Sequence, residues 1–259
     1  MRKLLLAVGS LCMVGVVSVS ALLSPGDILI IMANSDAPDS FAWVPLVNIP
    51  ANTTISFTDS SYGSGDGSGI TNTNFRWSEH LDTSGGGPLT WTYANPLAAG
   101  TVIIFNGTTW NIGTGSGSFM NLATAGDQIF AFTGPVVSNP VPGQYSGIIT
   151  GLLYGVQFSG GNWITNGLGT TSASYLPSML SGANVALGTN DNWIYVGIRT
   201  GTPAELLAAV NDPANWQSDN VNPYSWTFGN FEVVPEPATV ALAVIGMSLA
   251  AIFRRRYGV

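Results

Sequence analysis

Thr53-Thr54-Ile55-Ser56-Phe57-Thr58-Asp59 alternates apolar Ile55 and Phe57 with polar Thr54, Ser56 and Thr58. A period of two is the pattern of a strand with one face in a core and one in solvent, so this stretch predicts a half-buried strand. Upstream, residues 27–33 (DILIIMA) form a dense apolar run after Ser24-Pro25-Gly26 and predict a buried strand. Residues 41–49 (FAWVPLVNI) predict another, with Pro45 placing it at an edge or a bulge. Downstream, strands are expected at 75–81, 89–93, 101–106, 127–133, 148–156, 184–187, 192–197 and 224–231. Turn residues separate them, among them Gly85-Gly86-Gly87, the stretch 113–117, residues 140–143 and Gly160-Gly161. Many short strands between regular turns predict an all-β chain, an antiparallel β-sandwich over residues 24–232.

Two echoes run through the chain. Gly26-Asp27-Ile28 resembles Gly126-Asp127-Gln128-Ile129, and residues 51–57 resemble residues 99–105. Each is a turn followed by a strand, and two copies fit shared hairpin chemistry better than a solenoid, which needs about three repeats. One helix is expected. Thr202-Pro203-Ala204-Glu205 places Thr at the N-cap, Pro at the first helical position and Glu three residues after the cap, and Pro213 limits the helix beyond.

The two ends differ from the body. Arg2 and Lys3 precede the apolar residues 4–17 and Val19-Ser20-Ala21, the pattern of a signal peptide over residues 1–21. Cys12 is the one cysteine, and Leu11 stands before it where a lipobox needs a small residue. Cleavage after Ala21 would leave a body without disulfide or thiol chemistry, held by packing alone. At the other end Pro235-Glu236-Pro237 precedes the apolar run 238–253 and then Arg254, Arg255 and Arg256. Sixteen helical residues span about 24 Å against ~30 Å of bilayer hydrocarbon, a short transmembrane helix. Arginine is costly in hydrocarbon and stays on the cytoplasmic side, which would put the body outside.

That order of motif, helix and basic cluster over residues 234–259 resembles the PEP-CTERM sorting signal of Gram-negative bacteria. The resemblance implies an exosortase-type processing enzyme as partner, cleavage near Pro235-Glu236-Pro237, and anchorage in the inner membrane during sorting. Delivery to the cell surface or extracellular matrix would follow, in a setting of exopolysaccharide and biofilm. Residues 26–231 also resemble a secreted bacterial surface β-module, lamin-tail-like and immunoglobulin-like, through segments 26–34, 41–59, 126–132, 184–196 and 199–216. That resemblance carries no catalytic residues over.

The body between the end signals holds two cations, Arg76 and Arg199, against thirteen acids, about −11 in all. Such a surface opposes phosphate-backbone binding, so no nucleic-acid partner is expected. His80 is the one histidine, no G-x-S-x-G elbow occurs, and a triad would have to use His80 between Glu79 and Asp82. A cysteine-free body with one imidazole disfavours zinc, and no nucleotide-binding glycine motif is complete. No cofactor is expected. Calcium takes six to eight oxygens, and the region of Asp59, Asp66, Asn72, Asn74 and Glu79 offers them. Asp and Asn form turns without metal too, which is the better reading of that region. Eight tryptophans, mostly within alternating strands, default to core packing, though some could stack on matrix polysaccharide. Glu79 and Glu232 stand as acid/base candidates only by elimination. The expectation is a non-enzymatic structural or adhesive surface protein. The alternative is a carbohydrate-binding module or a weak glycan-active enzyme.

Overall fold

A computed structural model describes residues 22–63, 74–76, 87–117, 120–138, 146–158, 160–166 and 169–236. Fifteen strands and one α-helix are placed among them. The first sheet contains β1 (Ile28–Asn34), β2 (Ser40–Pro45), β6 (Ile103–Phe105), β12 (Asn192–Tyr195) and β14 (Trp216–Asp219), in the order β14-β12-β1-β2-β6. The second contains β3 (Thr54–Thr58), β5 (Leu89–Thr92), β7 (Gln128–Phe132), β10 (Leu152–Gln157) and β11 (Asn184–Ala186), in the order β11-β10-β7-β3-β5. A small sheet orders β4 (Phe75–Arg76), β9 (Ser146–Ile149) and β8 (Val136–Ser138) as β4-β9-β8. A parallel ribbon joins β13 (Thr200–Gly201) to β15 (Glu232–Val233).

The large sheets meet through aromatic side chains. Phe41 on β2 lies 4.8 Å from Phe57 on β3, and Trp43 on β2 meets Trp91 on β5 edge-on at 4.9 Å. Trp43, Trp91, Phe41 and Phe57 are all essentially excluded from solvent. Each such pair contributes about 0.5–1.5 kcal/mol beyond its buried area. The described residues contain no cysteine, so this packing joins the sheets without a disulfide.

The Gly-Asp echo has a structural meaning. Gly26 (φ 92°) and Gly126 (φ 93°) both turn through the left-handed region that suits glycine, and each leads into the central strand of its sheet. Asp27 then accepts the Ser24 N–H at 2.6 Å, and Asp127 accepts the Ala123 N–H at 2.8 Å. The neighbouring strands close alike: Leu46 N–H donates to Asp27 O and Phe158 N–H to Asp127 O, both at 2.8 Å. The second echo also turns through positive φ, at Asn52 (61°) and Gly100 (84°), before β3 and β6.

Several expectations are corrected. β3 is not half-buried: Ser56 and Thr58 are buried with Ile55 and Phe57, because β3 lies inside its sheet between β7 and β5 and both of its faces are covered. β2 is interior rather than at an edge, and its pairing with β1 carries a register shift between Ile30 and Met32 rather than at Pro45. Pro45 simply ends it, and its carbonyl accepts the Gly100 N–H at 2.7 Å. The strand expected at 148–156 is two, split at Gly151 (φ 66°). Residues 224–231 form no strand. Instead Asn34, fully buried, holds this stretch through its side-chain amide, donating to Tyr224 O and accepting from Tyr224 N–H, both at 2.9 Å. Two pairings are parallel, β10 with β11 and β13 with β15. The strands β8, β13, β14 and β15 lie outside the stretches expected to be strands.

The helix α1 (Pro203–Val210) starts as expected. Glu205 N–H donates to the Thr202 hydroxyl at 3.3 Å, and Thr202 N–H to the Glu205 carboxylate at 2.8 Å. Leu206 and Val210 face the core. The segments proposed as signal peptide (1–21) and transmembrane helix (238–253) lie outside the described residues. Among the described residues no helix is long and apolar enough to cross a membrane.

Candidate functional site

Two places on the body have functional geometry: the exit of the tail and a groove beside Trp110. At the exit, Phe231 N–H donates to Gly100 O (2.8 Å), Glu232 N–H to Arg199 O (2.7 Å) and Val234 N–H to Gly201 O (2.8 Å). Phe231 stacks between Tyr195 and Trp226, each at 6.0 Å. Gly100 must be glycine here, since a Cβ would stand 2.2 Å from Phe231 O. Pro235 has no N–H and cannot extend this ladder, so the hydrogen-bonded body ends one residue before Pro235-Glu236. Pro235 and Glu236 are exposed, while Pro237, Arg254, Arg255 and Arg256 lie outside the described residues.

The groove is built on a strap the sequence disguises as a turn. Residues 112–117 run antiparallel along the edge of β5: Thr92 N–H donates to Thr114 O (2.8 Å), Thr114 N–H to Thr92 O (2.9 Å) and Thr90 N–H to Ser116 O (2.7 Å). The approach is so close that a Cβ at Gly115 would lie 1.8 Å from Thr90 O, and at Gly117 2.0 Å from Pro88 O. The alternating glycines of 113–117 are therefore a close-contact signature, which a turn reading hides. Beside the strap sits Trp110, partly exposed, wedged at 5.0 Å from Phe105, 5.6 Å from Phe41 and 5.7 Å from Phe57. Together they border a groove of about 490 Å³ whose lining carries hydroxyls, glycines and aromatic rings but no charged side chain. On the other flank of the same hairpin, a second groove of about 330 Å³ is lined by Ile104, Asn106, Tyr224, Ser225 and Trp226 among others.

Of the residues singled out for chemistry, Asp59, Asn74 and Glu232 lie among the described residues. Asp59 is buried and accepts the Asn121 N–H at 2.9 Å, while Asp66, Glu79 and His80 lie outside the described residues. Asp39 accepts the Leu122 N–H at 2.8 Å, and burial pushes its carboxyl up, with the negative charge of Asp59 adding to the effect. Asp39, Asp59 and Asp127 thus pin the 121–127 segment from three sides. Asp191 is likewise raised, first by burial and then by Asp36 and Asp219. Glu232 is exposed and takes the Thr200 hydroxyl at 3.3 Å. Among the described residues no group of three or more His, Cys, Asp or Glu side chains is placed to hold a metal ion. Of the tryptophans, Trp43, Trp91 and Trp216 are buried, whereas Trp110, Trp163, Trp193 and Trp226 keep partial exposure.

No curated protein and no solved structure matches this chain. Residues 233–256 match the family described as the PEP-CTERM protein-sorting motif, beginning at the last residue of β15, a signal that implies export and exosortase sorting to the cell surface or extracellular space.

Proposed function

We propose that the sorted body is a non-enzymatic structural or adhesive component of the envelope or extracellular matrix. Its two facing sheets form a β-sandwich of immunoglobulin-like, lamin-tail-like class. The tail 238–253 holds it in the inner membrane until processing near Pro235-Glu236-Pro237. One observation supports the non-enzymatic reading above the others: among the described residues, seven carboxylates are spent on architecture. Asp27, Asp39, Asp59, Asp127, Glu205, Asp212 and Asp219 each accept a backbone N–H that ends or starts a local element. A glycosidase instead needs a pair of carboxyls free to face one bond, about 5–9.5 Å apart.

Cell fractionation with mass spectrometry of the product tests this reading. The product should occur in the surface or matrix fraction and end near residues 234–237. Intact polypeptide in the cytosol would overturn the sorting half. Turnover of a matrix glycan, abolished by altering Glu232 alone, would overturn the non-enzymatic half. The carbohydrate-binding reading keeps one specific support, the uncharged groove at Trp110.

A further inference from the structure

We propose that the hairpin end formed by residues 104–110 carries an extended binding site for an uncharged polysaccharide, with Trp110 on one flank and Trp226 on the other. The inference rests on the adhesive reading above and names the ligand class that the body would hold.

The lining chemistry selects the ligand. Sugar rings offer an apolar C–H face and a rim of hydroxyls, so they suit an aromatic plane ringed by short hydrogen-bonding groups. The Trp110 groove supplies that combination: a partly exposed indole, the exposed Thr108, Thr109, Thr114 and Ser116, and glycine backbone without side chains to block approach. A nucleotide, an acidic lipid headgroup or a polyuronate would find no cation there, because no charged side chain lines either groove. The body around them is strongly acidic. An anionic ligand would meet net repulsion, since Arg199, held over the Phe228 ring that packs on Trp226, lines neither groove.

The platform is rigid. Trp110 is clamped by Phe41, Phe57 and Phe105, so its ring pays little entropy on stacking. The turn between the grooves is fixed by Asn106, whose side-chain oxygen accepts the N–H groups of Thr108 (3.0 Å) and Thr109 (2.8 Å). Across that turn Trp226 is held by stacking on Phe231 and by its N–H bond to Gly229 O at 2.8 Å. Asn106 itself lines the second groove, so the two grooves flank one stiff turn at a constant spacing. Such an arrangement favours a chain of sugars over a single one, because each added ring joins an already tethered ligand.

The test is titration of the full-length protein with neutral gluco- and galacto-oligosaccharides of one to six sugars, read by tryptophan fluorescence, with a polyuronate of equal length as the charged comparison. Three variants keep the core intact, because each alters an exposed groove residue: Thr114→Glu, Thr108→Arg and Ser225→Arg. A neutral oligosaccharide should bind, and more tightly with length. Thr114→Glu and Thr108→Arg should weaken the hexasaccharide by at least about tenfold with an unchanged melting curve. Ser225→Arg should weaken the hexasaccharide but spare the disaccharide. The proposal is overturned if no neutral oligosaccharide binds, if the polyuronate or an extended peptide binds in preference, or if the groove variants bind the hexasaccharide as the parent does. Correct surface delivery alongside any of these failures would leave the sorting reading standing and remove only the ligand.

Discussion

Replacing Asn34 by alanine should loosen one end of the body selectively. Asn34 lies on β1 with no solvent exposure, and its amide makes two 2.9 Å bonds to the backbone of Tyr224, 190 residues away, plus one of 2.9 Å to the Ser40 hydroxyl. Alanine leaves the Tyr224 N–H and C=O without this partner. An orphaned buried polar group costs about 1–3 kcal/mol. Tyr224 is only partly buried, so water recovers some of that, and the pair of groups should cost about 2–4 kcal/mol. For a body of this size that is a fall in Tm of about 5–15 °C. The loss should also be local. Residues 224–231 have no ladder of their own, so hydrogen exchange in that stretch should rise before it rises in β1 or β12. Trp226 and Phe231, which hold the second groove and the tail exit, should loosen with it. Thermal melting and native-state exchange by mass spectrometry read both effects. An unchanged Tm, or an exchange increase spread evenly over the sheet, would refute the clamp.

Thr202→Ala should cost about 1 kcal/mol, because both halves of the capping box at α1 are made, and denaturant titration reads it. Tyr195 donates to Ile198 O at 2.8 Å, and burial pushes its phenol up to about 12 from 10.0. A folded-state value raised above the unfolded one gives stability that is full below pH ~10 and is lost as the pH rises towards 12, so ultraviolet titration of the folded protein should show Tyr195 ionising near 12 rather than near 10. Asp191, raised by burial and by Asp36 and Asp219, favours its neutral form in the fold and therefore costs stability above the ordinary carboxylate range. Asp191→Asn should hold or raise the Tm at pH 7 and bring no gain at pH 3. Glu205 runs the other way: its bonds from the Thr202 backbone and hydroxyl lower its pKa, so its contribution is present at neutral pH and lost on acidification, and Glu205→Gln should flatten that part of the acid limb.

What was legible in the sequence was what is local. The capping box of α1 needs four consecutive residues, and it forms as read. The strands β1, β3, β5, β7 and β12 announce themselves by dense or alternating apolar residues. The Gly-Asp echo was visible, though not that it opens the central strand of both sheets. What escaped the sequence depends on distant partners. The clamp at Tyr224 is one amide reaching across 190 positions, a second anchor joins Phe231 N–H to Gly100 O, and the stretch between them, rich in aromatic residues, imitates a strand. The strap 112–117 is spelled in glycine, threonine and serine, the vocabulary of turns, and becomes sheet edge only because β5 lies within contact of it. The parallel β10–β11 pair joins strands separated by residues 158–183, where nothing in the pattern shows which way the chain returns. The grooves were illegible for the same reason. Eight tryptophans look alike in sequence, and only packing separates buried Trp43 and Trp91 from Trp110 and Trp226 at the surface.

A body with few cations must hold its loops by other means, and the choice has consequences outside the cell. Short Asp and Asn side chains do here what lysine and arginine pairs do elsewhere, each accepting from or donating to the backbone at the ends of elements. Such bonds fix geometry with little side-chain entropy, whereas exposed ion pairs yield about 0–1 kcal/mol and fade with salt. Stability should then depend weakly on ionic strength, which varies outside the cell, and on acid through Glu205 and Asp219, whose carboxyls are held low by bonds from backbone N–H groups. The net negative charge of the body opposes approach to an anionic membrane surface. With the body's last ladder bond at Val234 N–H and the sorting motif opening at Pro235, that repulsion acts one residue from the point where the tail would enter the bilayer. If the tail anchors the body and is cut near Pro235-Glu236-Pro237 as proposed, the same charge would favour the body's departure from the membrane.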